Sequence, residues 1–448
     1  MRLTPHLLPS RSANLGVFLL NNSKTLNAVS LDMINCIRDA LEEWIQQDNC
    51  PSGILIKSVK ENGMIPAFCA GGDLKRLYEE DVTETNCRRG KPPPHASEFF
   101  RQIYLLNDYL AALTTSSMAS YHVSGIPRHR NNPVVLSFWD GIVMGGGVGI
   151  SIYGKYRIAT ERTVFAMPET SIGLFPDIGS MFWMPRMLSL PLARYIALTG
   201  RRLMPADLMY TGLATHYVPS AKLDQLEQEL IVASTRDTVD PFGHVLDAFH
   251  ETTNPLPDEC SLAQDRKDIE KYFNNAKSVE DAMTALSASN SNTFANQTHF
   301  ALSKMSPTSL KITFLGLERG AAATNIGDAL RMEFRMTQGC LRTTRSNKSD
   351  FYEGVRAAVV DKDRSPLWDP ATLEDVTADA IDSADLVCEG KVAMADGQAS
   401  RTFCENGDIY RAGQGNDATA LPLVVVVDLP VCNNSVLHAV DEVILPMM

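Results

Sequence analysis

The spacing of apolar residues changes several times along the chain. In the first 220 residues, short apolar runs predict strands, and longer stretches with apolar residues three or four apart predict helices. The runs that predict strands lie at residues 15–20, 53–58, 133–139, 156–160 and 214–218. The stretches that predict helices lie at residues 30–45, 74–80, 98–113 and 190–209, with Ser30 placed to cap the first. The order strand, strand, helix therefore recurs and predicts an α/β fold.

The rest of the chain has a different character. Helical patterns dominate residues 221–384, whereas residues 385–448 have scattered glycines and an apolar run at 421–427 that predicts a strand. Residues 116–132 are polar and marked by glycine and proline, which predicts a surface insertion. We therefore divide the chain into a leader (1–14), an α/β core (15–220), a helical region (221–384) and a C-terminal extension of unknown role (385–448).

Size and composition restrict the class of protein. The chain has 448 residues, 44% of them hydrophobic and 21% charged, which is typical of a folded protein with a large core. Its formal net charge of −12 opposes binding to phosphate backbones, so nucleic acid is not an expected partner. The run at 421–427 is about a third of the ~20 residues that cross a bilayer, so no membrane span is predicted.

The cysteines and the first residues bear on the compartment. Nine cysteines are scattered with no pair at C-x-x-C spacing, which predicts free thiols in a reducing compartment and no zinc site. Arg2, Arg11 and Lys24 precede the first acidic residue, Asp32. This composition is typical of a mitochondrial transit peptide, and equally of a short leader before a first strand. Both interpretations stay open.

Two glycine-rich turns are the strongest local motifs. Each lies between a predicted strand and a helix: FCAGGD at residues 68–73 and MGGGVG at residues 144–149. Two backbone N–H groups brought together at such turns stabilise the negative oxygen that forms when a thioester carbonyl is attacked. Taken singly, each turn is explained more simply by tight packing of a strand against a helix. The spacing of the second turn excludes a Rossmann fingerprint, and the chain has no P-loop.

Two carboxylates, Glu169 and Asp177, lie in the apolar stretch 165–179. Apolar surroundings disfavour the charged form of a carboxyl group and raise its pKa toward a range useful in acid–base catalysis. A capping or ion-paired carboxylate in a loop explains each residue equally well. Neither residue, taken alone, decides between a structural and a catalytic role.

Taken together in chain order, these motifs resemble the crotonase (enoyl-CoA hydratase/isomerase) superfamily, and within it the 3-hydroxyisobutyryl-CoA hydrolase branch. The resemblance covers about residues 15 to 380. The matching pieces in the core are LNA at 26–28, FCAGGD at 68–73, MGGGVG at 144–149, AMPE at 166–169, GLFPD at 173–177 and ALTG at 197–200. The pieces typical of the hydrolase branch are SPTSLK at 306–311, EGVRA at 353–357, and DKD at 361–363 with Ser365 and Pro366.

The resemblance implies a crotonase-type spiral of strand–strand–helix units followed by a helical region that closes over the active site or mediates association. It implies that the N–H groups of Gly72 and Gly146 form the oxyanion hole and that Glu169 is the catalytic carboxylate. Asp177 is implied to contact the acyl group or to manage the proton on the departing thiolate. An acyl-CoA substrate is implied, with no metal and no cofactor, since coenzyme A is part of the substrate; a homo-oligomer is open.

Position 149 favours hydrolysis over hydration. The hydratases that this chain resembles use two glutamates to add water to a double bond, and one of them stands where this chain has Gly149. Thioester hydrolysis does not need that pair. Glu169 can attack the carbonyl and form an anhydride, or it can activate a water. The residues leave both routes open.

One departure and one insertion favour an alternative. The hydrolases usually have an acidic residue before the tyrosine that is Tyr104 here, but this chain has Ile103, preceded by Gln102. Some relatives of these hydrolases are structural components of mitochondrial ribosomes, and the basic insertion, the extension and Ile103 favour that role. The intact glycines, Glu169, Asp177 and the acidic net charge oppose it, and nucleic acid would be a partner only through ribosome association. A hydratase or isomerase is a third interpretation, which requires another acid in the pocket.

The hypothesis is therefore hydrolysis of a short 3-hydroxyacyl-CoA in the mitochondrion, above all 3-hydroxyisobutyryl-CoA in valine breakdown. Other candidates are weaker. Cys69 is interpreted as a packed thiol, since no base is placed beside it. Lys75 and Arg76 are interpreted as an exposed helix face, with contact to coenzyme phosphates as the alternative. His122 and the RHR stretch at 128–130 fall in the insertion and are interpreted as solvated.

Overall fold

The computed structural model describes most of the chain outside a few loops and the extension. The described residues are 4–46, 50–60, 63–83, 92–114, 132–252, 260–289, 291–342, 349–377, 391–393, 399–405 and 408–412. The predicted insertion at 116–132, apart from its last residue, lies outside them, as does most of the extension. No helix among the described residues is long and apolar enough to cross a membrane.

Two sheets organise the core. The six strands of the larger sheet are β1 (Leu7–Ser12), β2 (Leu15–Leu20), β3 (Gly53–Ser58), β5 (Val134–Trp139), β7 (Tyr156–Ala159) and β9 (His216–Tyr217), in that spatial order. The three strands of the smaller sheet are β4 (Ala67–Cys69), β6 (Ile142–Met144) and β8 (Val164–Ala166). Within these two sheets, β1 is antiparallel to β2 and every other pair of neighbouring strands is parallel.

Successive strands alternate between the two sheets. β3, β5 and β7 enter the larger sheet, and the strands that follow them, β4, β6 and β8, enter the smaller one. The helices of this part are α1 (Leu31–Gln46), α2 (Leu74–Thr83), α3 (Pro94–Thr114), the single turn α4 (Gly146–Gly149), α5 (Ser180–Met187), α6 (Leu190–Thr199) and α7 (Pro205–Thr211). The predicted spiral of strand–strand–helix units is therefore confirmed.

Helix α1 illustrates how sequence and burial agree. The apolar residues at helical spacing, including Ile34, Ile37 and Leu41, are fully buried. The hydroxyl oxygen of Ser30 accepts a hydrogen bond from the N–H of Met33 at 3.3 Å, so the predicted N-cap is confirmed.

Three details of the first 220 residues differ from the prediction. The stretch 1–14 contains a strand, β1, which the pattern missed because Pro9 and polar residues interrupt it; an edge strand tolerates both. The predicted helix at 190–209 is two helices, because Gly200 ends the first with φ +61° and Pro205 begins the second. The short strands β4, β6 and β8 of the smaller sheet were not predicted as separate elements.

The predicted helical region is confirmed. Its helices are α8 (Leu223–Ala233), α9 (Gly243–Phe249), α10 (Ser261–Phe273), α11 (Val279–Ser287), α12 (Thr293–Leu302), α13 (Pro307–Ala322), α14 (Ile326–Leu341) and α15 (Asp350–Val355). Helix α13 packs on α5, and α14 packs along α3, so this region lies directly on the core. In the extension, β10 (Lys391–Ala393), β11 (Ala399–Glu405) and β12 (Asp408–Ala412) form an antiparallel sheet, while the predicted strand at 421–427 lies outside the described residues.

The described cysteines bear out the prediction of free thiols. Cys36, Cys50, Cys69, Cys260 and Cys340 form no disulfide. Burial raises the pKa of the Cys69 thiol to about 12, so it is protonated at neutral pH. The interpretation of Cys69 as a packed thiol is confirmed.

Candidate active site

The two glycine turns lie side by side at the same edge of the smaller sheet. Strands β4 and β6 are parallel neighbours, and each turn follows the carboxyl end of its strand. A Cβ placed on Gly146 would lie 3.3 Å from the backbone nitrogen of Gly72, and one placed on Gly145 would lie 3.6 Å from the Cα of Gly71. The absence of side chains at these glycines lets the two backbones approach closely.

The N–H groups of Gly72 and Gly146 are both directed away from the regular hydrogen bonds around them. Val29 forms a parallel bridge with Gly72 in which its N–H and C=O bond Gly71 and Asp73, so the N–H of Gly72 points to the opposite side. Gly146 is the first residue of the single turn α4, and the N–H of a first helical residue has no acceptor within its helix. Among the described residues, no acceptor of either N–H is found.

Glu169 lies next to these glycines. It begins a turn of 3-10 helix after Pro168, and its side chain is buried, with 5% exposure. Its Oε1 would lie 2.9 Å from a Cβ on Gly145, and its Oε2 has no hydrogen-bond partner among the described residues. Burial, and then the neighbouring charge of Asp177, raise the pKa of Glu169 well above its usual value.

Asp177 is the second buried carboxyl group of the site. The hydroxyl of Tyr104 donates a hydrogen bond to its Oδ2 at 2.9 Å, and the same hydroxyl lies 2.7 Å from the Oγ1 of Thr337. Burial raises the pKa of Asp177 to about 7, although the Tyr104 hydrogen bond acts in the opposite direction. This carboxyl group can therefore hold or release a proton near neutral pH.

All four predicted site residues line one cavity of about 80 Å³. Gly72 and Gly146 contribute backbone, and among the described residues Glu169 and Asp177 are the only ionisable side chains of the lining. The apolar part of the lining is formed by Leu74, Phe99, Phe100, Ile103, Met144, Ile172, Leu174 and Ile178. Two amides and two carboxyl groups thus face a small apolar space.

Gly149 has no room for a side chain. A Cβ there would lie 2.9 Å from the Cγ2 of Ile178 and 3.1 Å from the Nδ2 of Asn107, which donates a hydrogen bond to the carbonyl of Gly149. The space that a second acid at this position would need is therefore filled by other side chains. The sequence indicated only that the carboxylate is absent here.

Ile103 lines the cavity, whereas Gln102 does not. The buried Ile103 side chain approaches Gly146, with its Cδ1 3.5 Å from a Cβ placed there. Gln102 is turned away and forms hydrogen bonds with Glu98, at 2.6 Å, and with Arg38. The position before Tyr104 therefore presents an apolar surface to the ligand space.

The downstream motifs support the turn that contains Glu169. The N–H of Ser306 donates to the carbonyl of Thr170 at 3.1 Å, and its hydroxyl donates to Asp350 at 2.6 Å. Gly354 lies so close to Ile172 that a Cβ would come within 2.4 Å of the Ile172 backbone. These matches therefore have a packing role beside the site.

Lys75 and Arg76 do not line the cavity. Arg76 is about half exposed and pairs with Glu80 and Asp32, and Lys75 pairs with Glu79 on the helix surface. The histidine at 122 and the RHR stretch at 128–130 lie outside the described residues.

Tyr104, Thr337 and Glu333 lie behind the cavity lining and were not predicted from the sequence. Thr337 and Glu333 stand one turn apart on α14, and both are fully buried. Polar residues on the apolar face of a helix are the one pattern that indicates such positions, because buried polar groups need partners. Which partners they have is decided by the packing of α14 on α3.

Replacing Asp177 by asparagine is expected to change how stability depends on pH. The pKa of Asp177 is raised from 3.8 to about 7, so its contribution to stability is fully present below about pH 3.8 and is lost as the pH rises through 7. Asparagine does not ionise, so it does not share this loss. As the pH rises from 6 to 8.5, the free energy of unfolding of Asp177→Asn is expected to increase by about 1–2 kcal/mol relative to that of the wild type. Thermal unfolding of both proteins across this range measures the difference, and a difference that is constant with pH would contradict the assignment.

The chain is similar to known proteins over most of its length. The family model described as enoyl-CoA hydratase/isomerase matches residues 15–384. A Mus musculus protein named 3-hydroxyisobutyryl-CoA hydrolase, mitochondrial, is 39% identical over 368 residues, which is 82% of this chain and 85% of that protein. The Homo sapiens protein of the same name is 36% identical over 368 residues, again 82% and 85% of the two chains.

Solved structures are similar over most of their length. A carnitinyl-CoA dehydratase from Mycobacterium thermoresistibile superimposes with a TM-score of 0.70 and 28% identity, covering 86% of this chain and 97% of that one. An enoyl-CoA hydratase from Rhodobacter sphaeroides superimposes with a TM-score of 0.68 and 27% sequence identity, covering 85% of this chain and 97% of that one. These matches extend across both the predicted core and the predicted helical region.

Proposed function

We infer that this chain, which belongs to the enoyl-CoA hydratase/isomerase family and within it to the 3-hydroxyisobutyryl-CoA hydrolases, hydrolyses a short 3-hydroxyacyl-CoA thioester. One observation carries the inference. The N–H groups of Gly72 and Gly146 and the carboxyl groups of Glu169 and Asp177 face one small apolar cavity. A thioester carbonyl placed in it has donors for its oxygen and a carboxylate for its carbon.

The two glycine amides bind the carbonyl oxygen. As a nucleophile adds to the carbonyl carbon, the oxygen becomes negative, and two fixed N–H dipoles stabilise that charge without rearranging. Removing one donor from such a hole typically costs about 3 kcal/mol of transition-state stabilisation. The apolar lining strengthens this interaction, because it excludes water that would screen the charge.

Glu169 supplies the attack on the carbonyl carbon, by one of two routes. Its carboxylate adds directly, releases the coenzyme thiolate and leaves an anhydride that water then hydrolyses. Alternatively, it takes a proton from a water that adds to the carbonyl. Both routes need the ionised form, and both end with a free carboxylic acid and coenzyme A.

Asp177 is placed either to donate a proton to the departing thiolate or to contact the substituent of the acyl group. With a pKa of about 7 it holds a proton in a large fraction of molecules at neutral pH, and it can give that proton to the thiolate. Tyr104 fixes the orientation of the carboxyl group. Since Ile103 is apolar, Asp177 and Glu169 are the ionisable side chains that the hydroxyl of a 3-hydroxyacyl group can meet.

The relatives favour a particular substrate and place. Their names specify 3-hydroxyisobutyryl-CoA and mitochondria, and we propose the same substrate, in valine breakdown, and the same compartment for this chain. The reaction as proposed needs no metal or cofactor, since coenzyme A arrives as part of the substrate. Self-association into a homo-oligomer stays a prediction.

The alternatives differ in support. The ribosomal role suggested by the insertion and by Ile103 finds no support in the relatives, which are named as hydrolases. Hydration of a double bond needs two acid–base groups, and position 149 cannot supply one. Asp177 is nevertheless a second carboxyl group in the cavity, so enoyl-CoA turnover is a necessary arm of the test.

A panel of acyl-CoA substrates tests the proposal. We expect free thiol from 3-hydroxyisobutyryl-CoA and other short acyl-CoAs, with kcat/KM at least about tenfold above that for palmitoyl-CoA, because a pocket discriminates each excess methylene sterically. Crotonyl-CoA, followed by loss of its enoyl absorbance, is expected to be hydrated more slowly than 3-hydroxyisobutyryl-CoA is hydrolysed. Faster hydration than thiol release would overturn the proposal in favour of a hydratase.

A further inference from the structure

The turn that carries Asp177 has an unfavourable backbone conformation. Ile178 has φ +57° and Gly179 has φ +77°, so two consecutive residues are left-handed. A β-branched residue rarely adopts this conformation, since its Cβ crowds the backbone. Ile178 must nonetheless stay there, because its side chain lines the cavity and fills the space beside Gly149. Other contacts must therefore hold the turn.

The hydroxyl of Tyr153 provides one such contact, a hydrogen bond donated to the carbonyl of Ile178, and Glu333 on α14 provides two more. Its Oε2 accepts a hydrogen bond from the N–H of Gly179 at 2.6 Å, and its Oε1 accepts one from the N–H of Met181 at 3.0 Å. Both amides belong to the first turn of α5, where the helix dipole favours a negative group. Glu333 is fully buried, and no lysine or arginine among the described residues forms an ion pair with it. The structural role of this buried carboxyl group is therefore to accept the two backbone hydrogen bonds.

The same helix also holds Asp177 from its other side. Thr337 stands one turn after Glu333, and its Oγ1 lies 2.7 Å from the hydroxyl of Tyr104, which donates to Asp177. Helix α14 thus contacts the backbone immediately after Asp177 and the tyrosine that orients its carboxyl group. Two residues on one face of α14, Glu333 and Thr337, therefore help to hold Asp177 in place.

We propose that Glu333 is a positioning residue for the hydrolysis: its two hydrogen bonds lock the left-handed turn at Ile178 and so hold Asp177 in the cavity. This inference rests on the proposed function for its effect on turnover, but not for its effect on the turn. Glu333 is not among the residues that line the cavity. The carboxyl group of Asp177 moves when the turn relaxes, whereas Glu169, on a separate turn, does not.

Two substitutions separate this role from simple space filling. Glu333→Gln keeps the volume of the side chain but puts an N–H₂ donor where one of the two backbone N–H groups needs an acceptor. Glu333→Ala removes both acceptors. Met336→Leu is the matched control, because Met336 is buried on the same helix but packs toward Gly316 on α13. The glutamine variant keeps the test decisive if the alanine variant does not fold.

The measurements are hydrogen exchange and steady-state kinetics on the full chain. For Glu333→Gln we expect faster amide exchange confined to the peptide at 177–187, and a kcat lowered about tenfold or more with KM for 3-hydroxyisobutyryl-CoA changed less than threefold. Met336→Leu is expected to leave both unchanged. Wild-type exchange at 177–187, exchange raised uniformly over the chain, or a kcat within twofold of the wild type would each overturn the proposal. If the wild type itself releases no thiol, the proposed function fails, and local exchange alone still decides whether Glu333 locks the turn.

Discussion

Replacing Glu169 by glutamine is expected to lower kcat about 100- to 10,000-fold, the usual range for a lost acid–base group. Glutamine has the shape of the glutamate side chain but neither adds to a carbonyl nor takes a proton from water. Burial raises the pKa of Glu169, so folding disfavours its charged form relative to the unfolded chain. A neutral side chain of equal size is therefore compatible with the fold, and we expect an unfolding temperature no lower than that of the wild type.

Steady-state kinetics on 3-hydroxyisobutyryl-CoA, together with thermal unfolding, check this expectation. Glu79→Gln is the control, since Glu79 is exposed on the surface of α2, outside the lining of the cavity. Its kcat should equal that of the wild type. A Glu169→Gln variant that retained kcat within about fivefold of the wild type would show that another group attacks the thioester.

Replacing Gly146 by alanine is expected to lower kcat about 100- to 1,000-fold while leaving the protein folded. The new Cβ would lie 3.3 Å from the backbone nitrogen of Gly72 and would occupy part of the space between the two amides. A carbonyl oxygen could then no longer reach both donors, and the loss of one donor typically has this effect. Gly146 is not among the glycines with positive φ, so its backbone conformation is open to alanine.

The control for this variant separates a loss of stability from a loss of transition-state binding. Gly212→Ala strains a backbone with φ +70° at a position where a Cβ meets nothing within 4 Å. Gly212→Ala is expected to lower the unfolding temperature but not kcat. Gly146→Ala is expected to lower kcat but not the unfolding temperature. Equal kcat values for Gly146→Ala and the wild type would exclude this amide from the oxyanion hole.

The parts of the site that could be predicted from the sequence are local in the chain. The glycines at 71–72 and 145–146 and the carboxylate Glu169 each follow a strand within a short motif, so their order and spacing were visible directly. Their meeting in space follows from the parallel pairing of β4 with β6 and of β6 with β8. The sequence could not show that pairing, because each of these strands has only three residues.

The parts that could not be predicted depend on contacts between distant segments. Tyr104 and Thr337 are 233 positions apart, and Glu333 is 154 positions from Gly179. Their apposition follows from the packing of α14 on α3, which no local pattern specifies. The helical region was predicted to close over the active site or to mediate association, and it supplies polar groups that hold the acid in place.

Gly149 shows how structure changes the meaning of a residue. From the sequence, glycine at this position signified only a missing carboxylate. In the structure, Ile178 and Asn107 fill the space around it, and Ile178 does so from a left-handed backbone conformation. Restoring an acid here would therefore require the turn after Asp177 to move. The preference for hydrolysis over hydration is built into the packing as well as into the residue.

Release of free thiol from 3-hydroxyisobutyryl-CoA by the purified full chain tests the central claim most directly. We expect the wild type to release the thiol far above the uncatalysed rate, and Glu169→Gln to bind the same thioester with similar affinity but to release almost none. If the wild type releases no thiol while both proteins bind the thioester equally well, the cavity around Gly146 and Glu169 binds acyl-CoA without cleaving it, and the account is wrong.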